Sequence, residues 1–401
     1  MNISRSNSQS PLLKLTLLLT STLTVMAGAT IAPSLPGMEK HFSELGVANS
    51  ELLVRLVLTF PALFIMIGSP IAGIIIDKFG RKTLLAASVL LYGLAGSSGS
   101  YLESLELILV GRAFLGLAVA GVMTSATTLI TDYFTGQARA GFIGLQSAFM
   151  GFGGVLFLSL GGRLADLNWH APFLIYLFAV LLFLPIIFCL YEPERSQKKL
   201  VDSTADRSQS TPKILLVTIL ASATASQLIF YLIPTQLPFY LKSLFQSTAS
   251  QSGLAIAFGM LFSAFASIAY GRIKARFHFV QIMMLVCGLM GVGYCIIGNA
   301  SSYPLVLIGL TILGLGLGLV MPNLTVWLSS IVPDHQRGRA LGWLSSCLFF
   351  GQFLSPIISQ PLARSIGLDR TYTAAGIFLL VASIGFFLGT RYIIRLGKQQ
   401  S

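Results

Sequence analysis

Residues 279–333 read FVQIMMLVCGLMGVGYCIIGNASSYPLVLIGLTILGLGLGLVMPNLTVWLSSIVP, without one Asp, Glu, Lys or Arg. A bilayer core takes about 20 mostly apolar residues per helix. The run is therefore too long for one crossing, and it divides at Gly298-Asn299-Ala300-Ser301-Ser302, a turn-rich stretch. Outward from it the same reading repeats. Uncharged stretches recur at Leu15–Met38, Leu56–Ile76, Thr83–Leu102, Ala113–Thr131, Ala140–Gly162 and Ala171–Tyr191. Beyond a polar break come Ile214–Leu241, Ser243–Gly271, Ala340–Ala363 and Thr371–Thr390. With Arg112 taken into the span that ends near Thr131, the total is twelve membrane-spanning helices.

Composition excludes a soluble protein of this size. Hydrophobic residues make up 54% of the 401 residues and charged residues 10%, with a mean hydropathy of +0.81. So few charges cannot cover a soluble surface. The net charge of +12 invites a nucleic-acid reading, and its distribution rejects one. With the N-terminus in the cytoplasm, most Lys and Arg fall on inner loops and tails: Lys78, Arg81, Lys82; Arg195, Lys198, Lys199; Arg272, Lys274, Arg276; Arg391, Arg395, Lys398. The outer ends carry Lys40, Arg55, Arg163, Lys242, Arg364 and Arg370. That asymmetry is the positive-inside pattern and puts both termini in the cytoplasm. The four cysteines sit in apolar spans without disulfide or metal spacing. Trp169, Trp327 and Trp343 lie near span ends, where an aromatic belt would place them.

The polar stretch 191–213 reads as a cytoplasmic linker between a six-helix bundle over 1–190 and another over 214–401. An offset of 198 positions brings the halves into register: Pro36 with Pro234, Gly73 with Gly271, Gly111 with Gly309, Gly116 with Gly314, Arg139 with Arg337, Gly153 with Gly351. Duplicated helical bundles of this kind rock about a central site that opens to each side in turn.

Between spans two and three stands Gly73-Ile74-Ile75-Ile76-Asp77-Lys78-Phe79-Gly80-Arg81-Lys82. In placement, spacing and composition it resembles the signature loop of the major facilitator superfamily. The resemblance extends over the chain through the duplication, the linker and Asp132…Arg139. It implies a fold of twelve helices in two pseudo-symmetric bundles, transport by alternating access, and a charge latch at Asp77 with Arg81 and Lys82 on the inner surface. In the second half Ala275 stands at the acid's place, so such a latch is one-sided.

Arg112 sits about seven residues into span four, roughly 10 Å deep at 1.5 Å per residue, where a cation needs partners or a cavity. Arg112-Ala113-Phe114-Leu115-Gly116 resembles the span-four motif of proton-coupled facilitators, in which the Arg is implicated in coupling. Two features depart from the drug–proton antiporter pattern. Gly28 stands where span one of that branch often carries an acid, and span five has Gly151-Phe152-Gly153-Gly154 without its Pro.

Every one of the 14 acids falls in a loop or at a span end. No mid-membrane carboxylate pairs with Arg112, so backbone carbonyls or the solute are its expected partners. A cavity of that kind favours neutral or anionic solutes over lipophilic cations. Gln146, Gln227, Tyr231, Gln236, Asn323 and Gln352 are the expected solute contacts, and Pro234 and Pro238 the expected break in span seven. The His residues are scattered without ligand spacing, and no phosphate-binding Gly-Lys-Ser/Thr loop is present. The reading is a secondary transporter, not an enzyme, with no cofactor, metal or nucleic-acid partner. Its partners are a small solute, protons and the lipid bilayer. It is expected to work as a monomer in a bacterial inner membrane, exporting a drug-like or metabolite solute. An uptake or exchange carrier for organic anions or nutrients is the alternative, and a non-transporting sensor a third reading.

Overall fold

The structure, a computed structural model, describes residues 10–193 and 213–398. Most of the expected linker 191–213, with Arg195, Lys198 and Lys199, lies outside the described residues. Among the described residues there is no strand, and twelve helical segments are long and apolar enough to cross a membrane. They are Pro11–Glu44, Ser50–Phe79, Arg81–Ser100, Leu105–Tyr133, Gly136–Leu167, Ala171–Cys189, Lys213–Phe245, Ala249–Lys274, Phe279–Gly298, Tyr303–Ile331, Gln336–Ile366 and Leu368–Gly389, called spans one to twelve. The long uncharged run is two of them, parted where the turn-rich residues predict. Side chains such as Phe188, Ile268 and Leu388 stand exposed on the helices, as lipid-facing positions would.

Two spans differ from the sequence reading. Span one does not stop at Met38: Pro11–Ala29 passes through a tight turn at Ala32–Ser34 and restarts as Leu35–Glu44. Pro33 lies in the connecting turn and Pro36 in the first turn of the restart, where a missing N–H costs nothing. The restart carries Glu39 and His41 into the helix tip. Span seven is interrupted at Tyr231, one turn before Pro234, whose missing N–H leaves the Phe230 carbonyl without its helical donor, and not at Pro238. Pro234 is accommodated in the first turn of Leu232–Phe245, and Pro238 lies inside that helix.

By packing the chain divides into two units, Met1–Arg195 with Pro234–Ala257, and Ser196–Ile233 with Phe258–Ser401. The sequence boundary at the linker differs from this: the tips of spans seven and eight, Pro234–Ala257, are grouped with the first unit. Within unit one, span four lies against spans two and three, and span one against span five. Within unit two, span nine packs on spans ten and twelve, and span seven on span eleven.

The duplication extends to atoms. A Cβ on Gly116 would lie 2.4 Å from the Pro61 carbonyl oxygen, and one on Gly314 would lie 2.2 Å from that of Gly259, the same pair moved by the repeat offset. Gly111 faces the Ala95 carbonyl and Gly309 faces that of Gly293, again in register. Small residues let helix backbones close to such distances in a bilayer. In the first half Tyr92 and Tyr176 donate their hydroxyls to span-one carbonyls, Leu23 at 2.7 Å and Ala27 at 3.2 Å. In the second half Tyr294 and Tyr372 do the same to span seven, at Ile229 (2.5 Å) and Leu232 (3.3 Å). The fold is all-α, twelve spans in two pseudo-symmetric six-helix bundles.

Candidate functional site

By the succession of spans, the loops after spans two and four lie on the side from which span one starts, and the loops after spans one, three and five lie on the far side. On the former side, Gly80 alone joins span two to span three. Its φ of +96° is a left-handed conformation that favours glycine, and it leaves room for a carboxylate. Glu192 fills that room. Its two oxygens accept from the Arg81 N–H at 2.7 Å and the Lys82 N–H at 2.8 Å, capping span three from a residue over a hundred positions away. Carboxylates are stabilised at a helix N-terminus, where N–H groups lack partners. Arg81 Nε stands 3.1 Å from Asp132 Oδ2, and its Nη1 3.9 Å from Glu192. The Tyr133 hydroxyl donates to the Tyr191 carbonyl and accepts from the Tyr191 N–H at 3.1 Å. Lys82 Nζ donates to the Ile187 carbonyl at 2.7 Å.

The sequence reading missed Glu192, although its position directly after span six, followed by Pro193, was a visible signal. Asp77, expected as the latch, is exposed and has no ion pair among the described residues. A Cβ on Gly73 would meet nothing within 4 Å. Arg139 closes the C-terminus of span four, donating to the Thr131 carbonyl at 2.7 Å and the Phe134 carbonyl at 2.9 Å. Arg337 donates to the Ser329 carbonyl at 3.0 Å, the same bond one repeat later.

Arg112 is fully buried. Its Nη2 donates to the Gly96 carbonyl at 2.6 Å, and its guanidinium carbon lies 4.8 Å from the ring centres of both Phe173 and Tyr176. Nε and Nη1 have no hydrogen-bond partner among the described residues. Backbone carbonyls or the solute are the partners expected from the sequence, and one carbonyl is present. Burying a cation in a span costs several kcal/mol, on the order of 3 on insertion scales. Two ring contacts at about 0.5–2 kcal/mol each and one charged hydrogen bond offset much of that.

The expected solute contacts are divided between the two units, Gln146 and Gln236 in the first and Gln227, Tyr231, Asn323 and Gln352 in the second. Gln146 Nε2 donates to Ser21 Oγ at 2.9 Å, between spans five and one. Asn323 Nδ2 donates to the Phe279 carbonyl at 3.0 Å, with the Tyr270 hydroxyl 3.5 Å from its Oδ1. Gln236 is fully buried and accepts from Arg55 Nε at 2.9 Å. Gln227 keeps a buried Oε1 without a partner, Gln352 is buried, and Tyr231 is half-buried at the break in span seven.

Two far-side clusters were not legible in the sequence. Arg55 pairs with Glu39 at 2.6 Å and lies 3.9 Å from the Phe239 ring centre. His41 and His170 both approach Glu103, at 3.3 Å and 3.8 Å, with the His170 ring stacked on Trp169. Burial pushes the His170 imidazole below its ordinary value, against a smaller upward pull from Glu103.

A model of the family described as the Major Facilitator Superfamily matches residues 17–356 and 219–399. The chain belongs to the major facilitator superfamily. It is a multi-pass membrane transporter of small solutes, not an enzyme. Among its relatives is a protein named multidrug resistance protein 1 from Bacillus subtilis (strain 168), 24% identical over 357 residues, which cover 87% of this chain and 89% of that one. Another is the quinolone resistance protein NorA of Staphylococcus aureus (strain MSSA476), 24% identical over 339 residues, covering 82% and 84%. A crystal structure of a D-xylose-proton symporter superposes with a TM-score of 0.81 at 15% identity, covering 94% of this chain and 96% of that one. That last likeness is one of fold.

Proposed function

We propose that this major facilitator is a proton-coupled secondary transporter that exports a small drug-like or metabolite solute by alternating access. The observation that carries the reading is Arg112: a fully buried cation in span four that, among the described residues, pairs with no carboxylate and keeps Nε and Nη1 without hydrogen-bond partners. An ionised side chain inside a span, its desolvation only partly offset by one carbonyl and two rings, points by default to a functional role. Export is supported by the two drug-resistance relatives. The positive-inside pattern supports cytoplasmic termini and a bacterial inner membrane, with the Gly80 turn inside and the Arg55 cluster outside. Every described carboxylate lies near a span end or between spans. The transported species is then neutral or anionic, because no acid sits mid-membrane to receive a lipophilic cation. The same observation favours a second reading, uptake or exchange of an organic anion that carries its own proton.

The test is reconstitution into liposomes with an imposed pH gradient. Neutral and anionic solutes are expected to evoke proton movement out of phase with their own. Flux indifferent to the gradient contradicts proton coupling, and efflux of an aryl phosphonium contradicts the solute class. Proton and solute moving the same way selects the second reading.

A further inference from the structure

Chain continuity and packing part company in spans seven and eight. Their stems, up to Ile233 and from Phe258, belong to unit two, whereas the tips Pro234–Ala257 belong to unit one. Span seven is interrupted at Tyr231, just before the tip begins. The contacts that fasten the tips within unit one include one on span five and one on span two. Asp166, at the end of span five, accepts from the Ala249 N–H at 2.7 Å and from the Ser250 N–H and hydroxyl at the start of span eight. Gly253 allows backbone contact there, since a Cβ on it would lie 2.6 Å from the Leu158 carbonyl oxygen. The contact on span two is Arg55.

The partners of Arg55 are of two kinds. Glu39 and the Glu51 carbonyl, at 2.6 Å and 2.7 Å, come from spans one and two, on the same half as Arg55 itself. Gln236 and Phe239 come from the tip of span seven, and both are uncharged. Residues 234–257 contain no Asp or Glu, so losing the tip would cost Arg55 only uncharged partners, Gln236 and Phe239 among them, and would leave the guanidinium paired with Glu39. A carboxylate in place of Gln236 would be far harder to release, because separating the pair would strand a buried charge.

We propose that Arg55 is the far-side gating residue of the transport cycle, gripping span seven through neutral partners so that the grip opens without leaving an uncompensated charge. The inference rests on the alternating-access reading above. Arg55 is a positioning residue: it acts on the solute path through the span-seven tip.

The test uses Ser34→Cys, a buried position on the cavity of about 250 Å³ lined by Pro33, Asp166, Pro238 and Thr248, with the four native cysteines replaced by serine. The rate of maleimide labelling of the purified protein reports far-side opening. Arg55→Ala and Phe239→Ala are each expected to speed labelling about tenfold. Gln236→Glu is expected to slow it below the parent rate and to slow transport, an opposite sign that general loosening would not give. Labelling unchanged in both Arg55→Ala and Phe239→Ala, in protein of parental melting temperature, overturns the proposal, as does faster labelling in Gln236→Glu. Labelling needs neither solute nor proton gradient. Failure of proton coupling in liposomes with these shifts intact would therefore sink the coupling claim and leave the gate standing.

Discussion

The two halves build the same clasp with different cores. Tyr92 and Tyr176 hold span one by its carbonyls with ring centres 5.8 Å apart, and Tyr294 and Tyr372 hold span seven with ring centres 6.0 Å apart. In register with Arg112, under the first pair, the second half has Leu310, also buried. The second-half clasp therefore forms without a guanidinium at the position in register with Arg112. The guanidinium is an addition to it, and its desolvation cost needs a reason outside the clasp.

The largest expected effect comes from making the first half like the second. Arg112→Leu should fold and melt close to the parent, since an apolar replacement of a buried charge is often neutral or stabilising. Gradient-driven transport should fall at least about tenfold. A thermal-shift assay beside liposome flux separates the two. A variant that fails to fold would show that Arg112 belongs to the clasp after all.

The close contacts of Gly116 and Gly314 should respond alike. Alanine at either pushes a Cβ onto a carbonyl oxygen and should cost ~1–3 kcal/mol by overpacking, read as similar losses of melting temperature. An effect confined to one half would break the equivalence of the spans.

The helix starts should respond unequally. Glu192 caps span three from across the bundle with two charge-assisted bonds, whereas in the second half Gln281 accepts locally from the His278 N–H at 2.9 Å. Glu192→Ala should cost ~1–3 kcal/mol and speed hydrogen exchange at Arg81 and Lys82. Gln281→Ala should cost only a few tenths to ~1 kcal/mol, with little change at Phe279.

The smallest effect concerns the far-side tip, where His170 has Leu368 as its counterpart. The fold depresses the His170 pKa, so it favours neutral imidazole. The stability so gained is present above the unfolded value near 6.5 and lost as pH falls through the lower folded value. His170→Leu should flatten the melting-temperature profile by a degree or two between about pH 7 and pH 5.

The span count, the duplication and the membrane class were legible because each rests on composition and spacing that a helix imposes locally. Gly116 and Gly314 align in sequence and meet equivalent carbonyls in space. The long-range polar contacts were not legible. Nothing in Tyr191-Glu192-Pro193 says which helix start the carboxylate will cap, and nothing at Arg55 says that Gln236 will meet it, since hydrogen-bond partners of charged groups are set by tertiary packing. Gln236 read as a solute contact because a buried amide looks the same in sequence whether its partner is solute or protein. The extension of span one to Glu44 was missed because the uncharged run ends at Met38, whereas a helix tip beyond the bilayer core tolerates Glu39, Lys40 and His41.

The central claim is that Arg112 couples transport to the gradient and does not merely shape the bundle. The direct measurement compares Arg112→Leu with the parent in the same liposomes, under an imposed pH gradient and under solute exchange at equal pH. The account predicts that exchange persists near the parental rate while gradient-driven movement collapses. Full gradient-driven transport by the variant would contradict it.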